Sequence, residues 1–409
     1  MSKIMRWLRQ GSDKTWPLTV KTASALERKS AFNPLIALHG LGEANWCDAS
    51  YGGLAREGYI KNPIVHRCIR LLSESAAALP LLAYDGDDEM DTHPLLDLLN
   101  RPNARQSGQG LFDAVFSSLL ICGNAYLSQS ELDGFPKELY ALRADRMESI
   151  RDESGWPIAY DYSVNGRKTR YEMSDVHSPI LHLALYNPLD DFEGVSPLAS
   201  AHMALDIHNS ASKWNKALLD NSARPSGALV YGSGESTNLT DEQFERLKVE
   251  LEEGYTGASR AGRPMLLEGG LDWKQMGFSP KDMDFIEARN AAARDIALAF
   301  GVPPMLLGIP GDNTYSNYRE ANLALWRQTI LPMVARVVTA IQNWLGPNWS
   351  HCLRLDIDRD RIEALSVDRD ALWKRLSEAD FLTPDEKRLA TGYGAIGQGS
   401  RTGQAFDDR

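Results

Sequence analysis

Three aspartates at alternating positions, Asp356, Asp358 and Asp360, stand in DIDRDRIEALSV, a few residues after His351. Alternating positions on a strand share one face. Three carboxylates there, with His351 beside them, offer the hard oxygen ligands that a divalent cation takes in metal-dependent hydrolysis. The same spacing opens a calcium loop. That loop needs glycine at its sixth position and glutamate at its twelfth, where this chain has Arg361 and Val367. The plain reading of the stretch is a solvated strand edge, its charge balanced by Arg359 and Arg361.

Other chemical signatures fail in the same way. No Gly-Lys dipeptide occurs, so there is no phosphate-cradling P-loop of a motor ATPase. GYGAIG, Gly392 to Gly397, matches G-x-G-x-x-G but follows a helical pattern, whereas the dinucleotide reading needs a strand before it and a helix after it. Neither HExxH nor GxSxG is present. His202 and His208 share a helical stretch without the four-residue spacing of a metal pair, and read as packing or surface residues. The four cysteines, Cys47, Cys68, Cys122 and Cys352, form no CxxC pair and read as reduced thiols of a cytosolic protein. The sequence therefore predicts no metal, no cofactor and no catalytic set. A metal-dependent nuclease or hydrolase using Asp356, Asp358, Asp360 and His351 is the alternative.

Composition narrows the class further. The chain has 409 residues, 43% hydrophobic and 24% charged, enough for two or three domains with ample core. No apolar run of about 18 residues occurs, so no membrane span is expected. The start, MSKIMRWLRQGSDK, is basic and amphipathic without the apolar centre of a signal peptide, and reads as a frayed surface helix. A net charge of −11 makes tight, non-specific nucleic-acid binding a poor fit, because that binding rests on neutralising phosphates.

The elements are more distinctive than the chemistry. NPIVHRCIRLLSESAAALPLLAY predicts a helix ended by Pro80, then an extended run. HPLLDLLNRPN is a short helix, and GLFDAVFSSLLICGNAYLSQS a helix closed by Gly123 before a strand. Short strands dominate from about Lys137 to Leu185, with a hairpin turn at Asn165-Gly166. Ser196 can cap, and Pro197 can open, a long helix from Leu198 to Asp220 with Met203, Ile207, Ala211 and Trp214 on its apolar side. SGALVYG, TDEQFERLKVELEEGY and RPMLLEGGLDWKQM form a small β-α-β-β unit. A second long helix runs from about Lys281 to Phe300. The unit is thus carried at the far end of a two-helix stalk.

FGVPPMLLGIPGDNTYSNYREANLALW then separates the second long helix from a third. Gly301 predicts the helix end, and Pro303, Pro304 and Pro310 stiffen the segment beyond it. Asn317 and Glu320 can cap the third helix, whose seam runs from Leu323 to Trp344 with a kink expected at Pro332. HCLRLDIDRDRI returns as a strand to some sheet, and two short helices come after it, the second opened by Thr383-Pro384.

FGVPPMLLG followed by NTYSNYREANLALWRQTILP, with HPLLDLLNRPN, GNAYL, GVSPLASA and DFLTPDEKRLATGYGAI in this order, resembles the portal proteins of tailed bacteriophages. The type is that of siphophages, related prophages and gene transfer agents, and the resemblance runs from about Asn62 to Gly397. It implies an α+β subunit with an α/β wing, a two-helix stem, a small β-α-β-β clip, a kinked long helix and a short helical crown. On this chain that maps to an N-terminal arm at 1–60, wing at 61–197, stem helix at 198–222 and clip at 223–280. The second stem helix lies at 281–300, a tunnel loop at 301–322, the rest of the wing at 323–360, and crown and flexible tail at 361–409. The short crown departs from the family pattern.

The resemblance further implies a ring, usually a dodecamer, at one capsid vertex, through which double-stranded DNA is packaged and ejected without catalysis by the ring itself. Its partners would be further copies of itself, the major capsid protein, the terminase large subunit, a head-tail adaptor and the DNA, with no membrane. It would reside in the virion, and in host cytoplasm during assembly. The tunnel-loop tip, Asp312, Asn313, Thr314, Tyr315, Ser316, Asn317 and Tyr318, would then face the channel. It holds amides and two aromatic rings but no Lys or Arg, so it can touch a DNA backbone without a salt-bridge grip.

Overall fold

The computed structural model describes residues 48, 50–86, 88–174, 178–220, 227–231, 242, 245–246, 249, 271–275, 285–311, 315–349 and 352–391. The first 47 residues, most of the predicted clip, Asp312 to Thr314, His351 and Gly392 to Gly397 lie outside them.

A short helix, Tyr51–Gly53, runs into a π-helical segment, Leu54–Ile60. Helix α1, Pro63–Ala77, starts where Asn62 caps it: its Oδ1 accepts from the backbone of Ile64 and Val65 at 3.0 and 3.1 Å. Strands β1, Leu81–Asp85, and β2, Asp88–Met90, form a hairpin, followed by α2, Pro94–Asn100, and α3, Gly108–Cys122. Gly123 ends α3 at φ 80°, and β3, Asn124–Leu132, leaves at once. β3 lies between β4, Phe135–Leu142, and β8, Ile180–Ala184. A second antiparallel sheet holds β5, Met147–Arg151, β6, Pro157–Val164, and β7, Arg167–Glu172. The β6–β7 turn has φ of 49° at Asn165 and 79° at Gly166, as the Asn-Gly pair predicts.

Ser196 caps α4, Pro197–Ser200, by accepting from Ala199 N at 2.9 Å; α5, His202–Asp220, continues after a break at Ala201. The predicted single helix is therefore two. The predicted face holds only in part: Ala211 is buried, but Met203 and Ile207 are 62% and 45% exposed, while Leu205 and His208, off that face, are buried. The sequence held two stripes at helical spacing, and the one with small residues, Ala201 and Ala204, packs inward.

Strands β9, Gly227–Tyr231, and β10, Leu271–Gln275, pair antiparallel, and residues 242, 245, 246 and 249 of the predicted intervening helix are helical. Helix α6, Phe285–Ala299, packs along α5, burying Ala292, Ala293, Ile296 and Ala297. Helix α7, Tyr315–Ala324, widens to π geometry over Leu325–Ile330 before α8, Leu331–Leu345. Proline at 332 has no N–H and crowds the carbonyl one turn back, so the kink expected there appears as this wide turn.

Strand β11, Leu353–Ile357, returns to pair with β1 in the register Leu81↔Ile357. The chain closes with α9, Ser366–Ser377, and α10, Pro384–Ala390; at α10 Thr383 and Glu386 cap each other reciprocally. One apolar core joins α1, α3, α6 and α8, with Ile69, Leu72, Leu111, Leu119, Ile296 and Ile341 among its buried members. Each such side chain contributes about 1.5–3 kcal/mol on burial. Trp344 Nε1 donates to Ser178 O at 2.7 Å, tying α8 to the segment before β8. The segments before and after the stalk therefore form one body.

Candidate functional site

The stiff segment after α6 is built from two left-handed glycines. Gly301, at φ 65°, donates its N–H to Leu298 O at 3.0 Å, and Val302 N donates to Ala297 O at 2.9 Å. These paired bonds satisfy the last carbonyls of the helix and turn the chain sharply. Pro304–Leu307 then makes one tight turn. Gly308, at φ 72°, closes it by the same device: Gly308 N donates to Met305 O and Ile309 N to Pro304 O, both at 3.3 Å. Val302 and Ile309 are buried, while Leu306 and Leu307 pack partly against the core. These apolar side chains hold the base of the loop against the core.

Two polar contacts complete the base. Thr329 Oγ1, from the π segment, donates to Gly301 O at 2.8 Å. Arg294, from α6, donates through Nη2 to Pro310 O. Sequence reasoning missed both, because the partners lie 28 and 16 residues away and neither type carries a local turn signal. A Cβ at Gly301 would fall 2.8 Å from Thr329 Oγ1, so the carbonyl clamp and the glycine depend on each other.

The tip differs from expectation. Asp312, Asn313 and Thr314 lie outside the described residues, but Tyr315 to Tyr318 are already helical. Asn317 therefore sits inside the first turn and is not the cap that its pairing with Glu320 suggested. Asn317, Tyr318, Arg319 and Glu320 are exposed, and Arg319 and Glu320 are 3.9 Å apart. The loop between the two stiff ends is thus short: it runs from Gly311 to the start of α7. Its emergent surface carries a ring, an amide and a weakly paired ion couple.

The three aspartates line one surface groove, but from a strand end and the turn after it. Only Asp356 lies in β11; Asp358 caps, and Asp360 belongs to, a following turn at Arg359–Arg361. Strand alternation therefore does not bring the three carboxylates to one face. Asp356 pairs with Arg354 at 3.1 Å, Asp358 with Arg361 at 3.6 Å and Asp360 with Arg369 at 3.3 Å. The Tyr84 ring covers the Arg354 guanidinium at 4.3 Å. Each acid is engaged by its own arginine, and among the described residues no group of three His, Cys, Asp or Glu is placed to hold a metal ion.

Two buried polar knots explain other motifs. In GNAYL, Asn124 Oδ1 accepts from Gly194 N at 2.8 Å and lies 2.9 Å from His182 Nε2; Tyr160 OH lies 3.2 Å from His182 Nδ1. His182 thus donates from Nε2 and accepts at Nδ1. Burial depresses its pKa to about 4, with nearby Arg151 adding to the effect. Asn62 uses its amide nitrogen on α5, donating to His208 Nδ1 at 3.0 Å and Asn209 Oδ1 at 2.9 Å. Burial lowers the His208 pKa as well.

The family model described as "Phage portal protein" matches residues 63–392. An uncharacterised protein of Rickettsia bellii (strain RML369-C) is 42% identical over 361 residues, covering 86% of this chain and 93% of its own. The solved neck of an empty gene transfer agent particle contains a chain 49% identical, with TM-score 0.69, covering 87% of this chain and 96% of that one. The neck of the native particle, computed with C12 symmetry, contains a chain 48% identical with TM-score 0.66, covering 86% and 95%.

Proposed function

The chain belongs to the phage portal protein family, and from that premise we propose that twelve copies form the ring at one capsid vertex through which double-stranded DNA is packaged and ejected. The observation that carries the reading is the likeness, along 86% of the chain, to a subunit of a C12-symmetric particle neck. In the ring, α5 and α6 are the stem, the β9–β10 unit is the clip, and the segments around the shared core are the wing. Residues from Arg361 onward form a small crown. The terminase large subunit and later a head-tail adaptor dock at the clip end, and the major capsid protein surrounds the wing. The ring conducts DNA and catalyses nothing; the motor supplies the work. It resides in the virion, and in host cytoplasm while heads assemble.

We read the segment 301–322 as the tunnel loop, with Asp312, Asn313, Thr314, Tyr315, Ser316, Asn317 and Tyr318 toward the channel. What supports it is the build of its base. Two glycine-closed turns, three prolines, and clamps from Arg294 and Thr329 fix the loop's exit direction. A loop that touches moving DNA needs such a fixed exit and a weak tip.

Mass photometry of the purified protein tests the ring directly. A species of twelve 45.4 kDa chains is expected, and a persistent monomer overturns the reading. Incubation with DNA and Mg²⁺ or Mn²⁺ tests the non-catalytic part: cleavage abolished by Asp358→Ala would overturn it. Deleting residues 311–314, which spares α7, should leave rings intact and lower the yield of filled heads. Normal yield would show that the loop does not act on DNA.

A further inference from the structure

The loop 185–195, between β8 and α4, is exposed yet tightly built. Leu189 is 93% and Tyr186 81% exposed. Behind them, Arg151 forks onto Asp190 with two bonds of 3.1 Å. Asp190 Oδ1 accepts from Phe192 N and Glu193 N at 2.8 and 2.9 Å, and Asn187 Nδ2 donates to Glu193 O at 2.7 Å. Trp156 and Arg151 both cover the Phe192 ring, at 5.2 and 5.4 Å. The Arg151 fork holds the Asp190 carboxyl at about 2, so the clamp stays charged at any working pH. Ordering cost is already met in such a loop, and its bare apolar side chains are suited to be anchors.

The opposite end of β3 carries a groove. β8 meets β3 at Asn124, so the loop lies at the start of that strand. The β3–β4 turn lies at its end, about 27 Å away over the nine residues Asn124–Leu132. There Leu132 and Phe135, 60% and 51% exposed, face Leu98 and Trp349 across a groove of about 1030 Å³. Phe135 and Trp349 lie 6.5 Å apart. The charges on the groove are mixed, Arg101 and Lys137 standing among Asp97, Asp133 and Glu138, so its apolar side chains set its character.

A ring of identical copies needs two different, complementary surfaces on opposite flanks of each subunit. We propose that the 185–195 loop of one copy docks in the groove between α2 and the β3–β4 turn of the next, with Leu189 and Tyr186 against Phe135 and Trp349. This rests on the ring reading above. The occupant is a second copy of this chain because the 48% identical relative stands in a C12-symmetric neck, and because anchor and groove match in apolar character.

Leu189→Asp and Phe135→Asp each change an exposed side chain, so thermal unfolding of the monomer should hold. The fraction of chains in rings, by mass photometry, should fall roughly tenfold or more. A Leu189→Cys, Phe135→Cys double variant treated with a short bismaleimide should give a ladder up to twelve chains. Wild-type rings together with intact rings from both Asp variants overturn the docking and leave the ring standing. A wild-type chain that stays monomeric overturns the ring reading, and the docking with it. Cross-linking of Leu189→Cys to a capsid protein instead of a neighbouring copy also overturns the docking.

Discussion

Gly123 and Gly194 are 71 positions apart and cannot be told from ordinary turn glycines in the chain, yet the structure crosses them backbone to backbone. A Cβ on Gly194 would fall 2.1 Å from Gly123 O, and one on Gly123 would fall 2.6 Å from the backbone carbons of Gly194 and Val195. Gly194→Ala should therefore open the crossing and lower stability by about 2 kcal/mol or more, read by urea unfolding, with no effect on any exposed surface. An unchanged midpoint would show that the crossing relaxes freely. His182 sits on the same knot, and its sign is clear. Its folded pKa, about 4, lies below the ordinary 6.5, so stability is present above pH 6.5 and lost as pH falls toward 4. The loss amounts to about 3 kcal/mol. His208 shifts the same way, so the diagnostic is a difference: wild type should lose more stability than His182→Asn between pH 7 and pH 4.5. Parallel losses would show that His182 is not the linked group. The motifs GNAYL and GVSPLASA were visible in the sequence, but what they are for was not, since their contact is long-range.

At the level of elements, the helix ends were the most legible feature. Ser196, Gly301 and Thr383 act where local rules put them, because capping involves neighbours within three or four residues. Faces were less legible. On the apolar side assigned to α5, Ala211 is buried but Met203 and Ile207 are exposed, since burial there is decided by α6 and by Asn62, not by periodicity alone. The candidate loop was legible in its stiff base and not in its tip, where helix α7 begins earlier than its capping pattern suggests. The aspartate stretch misled for a related reason: the strand ends at Ile357, one residue before its alternation would have mattered. Asn62 joins the two scales, capping α1 and bridging to α5 with one fully buried side chain. Asn62→Ala should cost about 2–3 kcal/mol, the cap plus the unpaired groups on His208 and Asn209. Asn62→Ser should recover only the cap share, so its urea midpoint should fall between the two. A serine variant as stable as wild type would mean that the bridge to α5 contributes nothing.

For the whole molecule the deciding quantity is charge. A chain at −11 repeated twelve times gives the proposed ring a formal charge near −132, and wherever that sign faces the channel it repels phosphate over roughly a Debye length, about 8 Å at physiological salt. DNA passing such a stretch slides instead of sticking, provided the narrowest point adds no cation. In the proposed channel that point is the tip at 312–318, which has no Lys or Arg. Arg319 follows directly, but Glu320 stands 3.9 Å from it and offsets its charge. Adding two lysines per copy, Asn313→Lys with Asn317→Lys, should convert a weak contact into a grip. Each new phosphate contact steepens the salt dependence of binding, by about 0.9 in the logarithmic slope. Packaging by the double variant should therefore be slowed several-fold at about 0.05 M salt and approach the wild-type rate at about 0.3 M. The isosteric control, Asn313→Gln with Asn317→Gln, keeps length without charge and should package normally at both. If lysine and glutamine variants are slowed alike, bulk and not charge sets the contact. If neither is slowed at low salt, the segment does not line the channel.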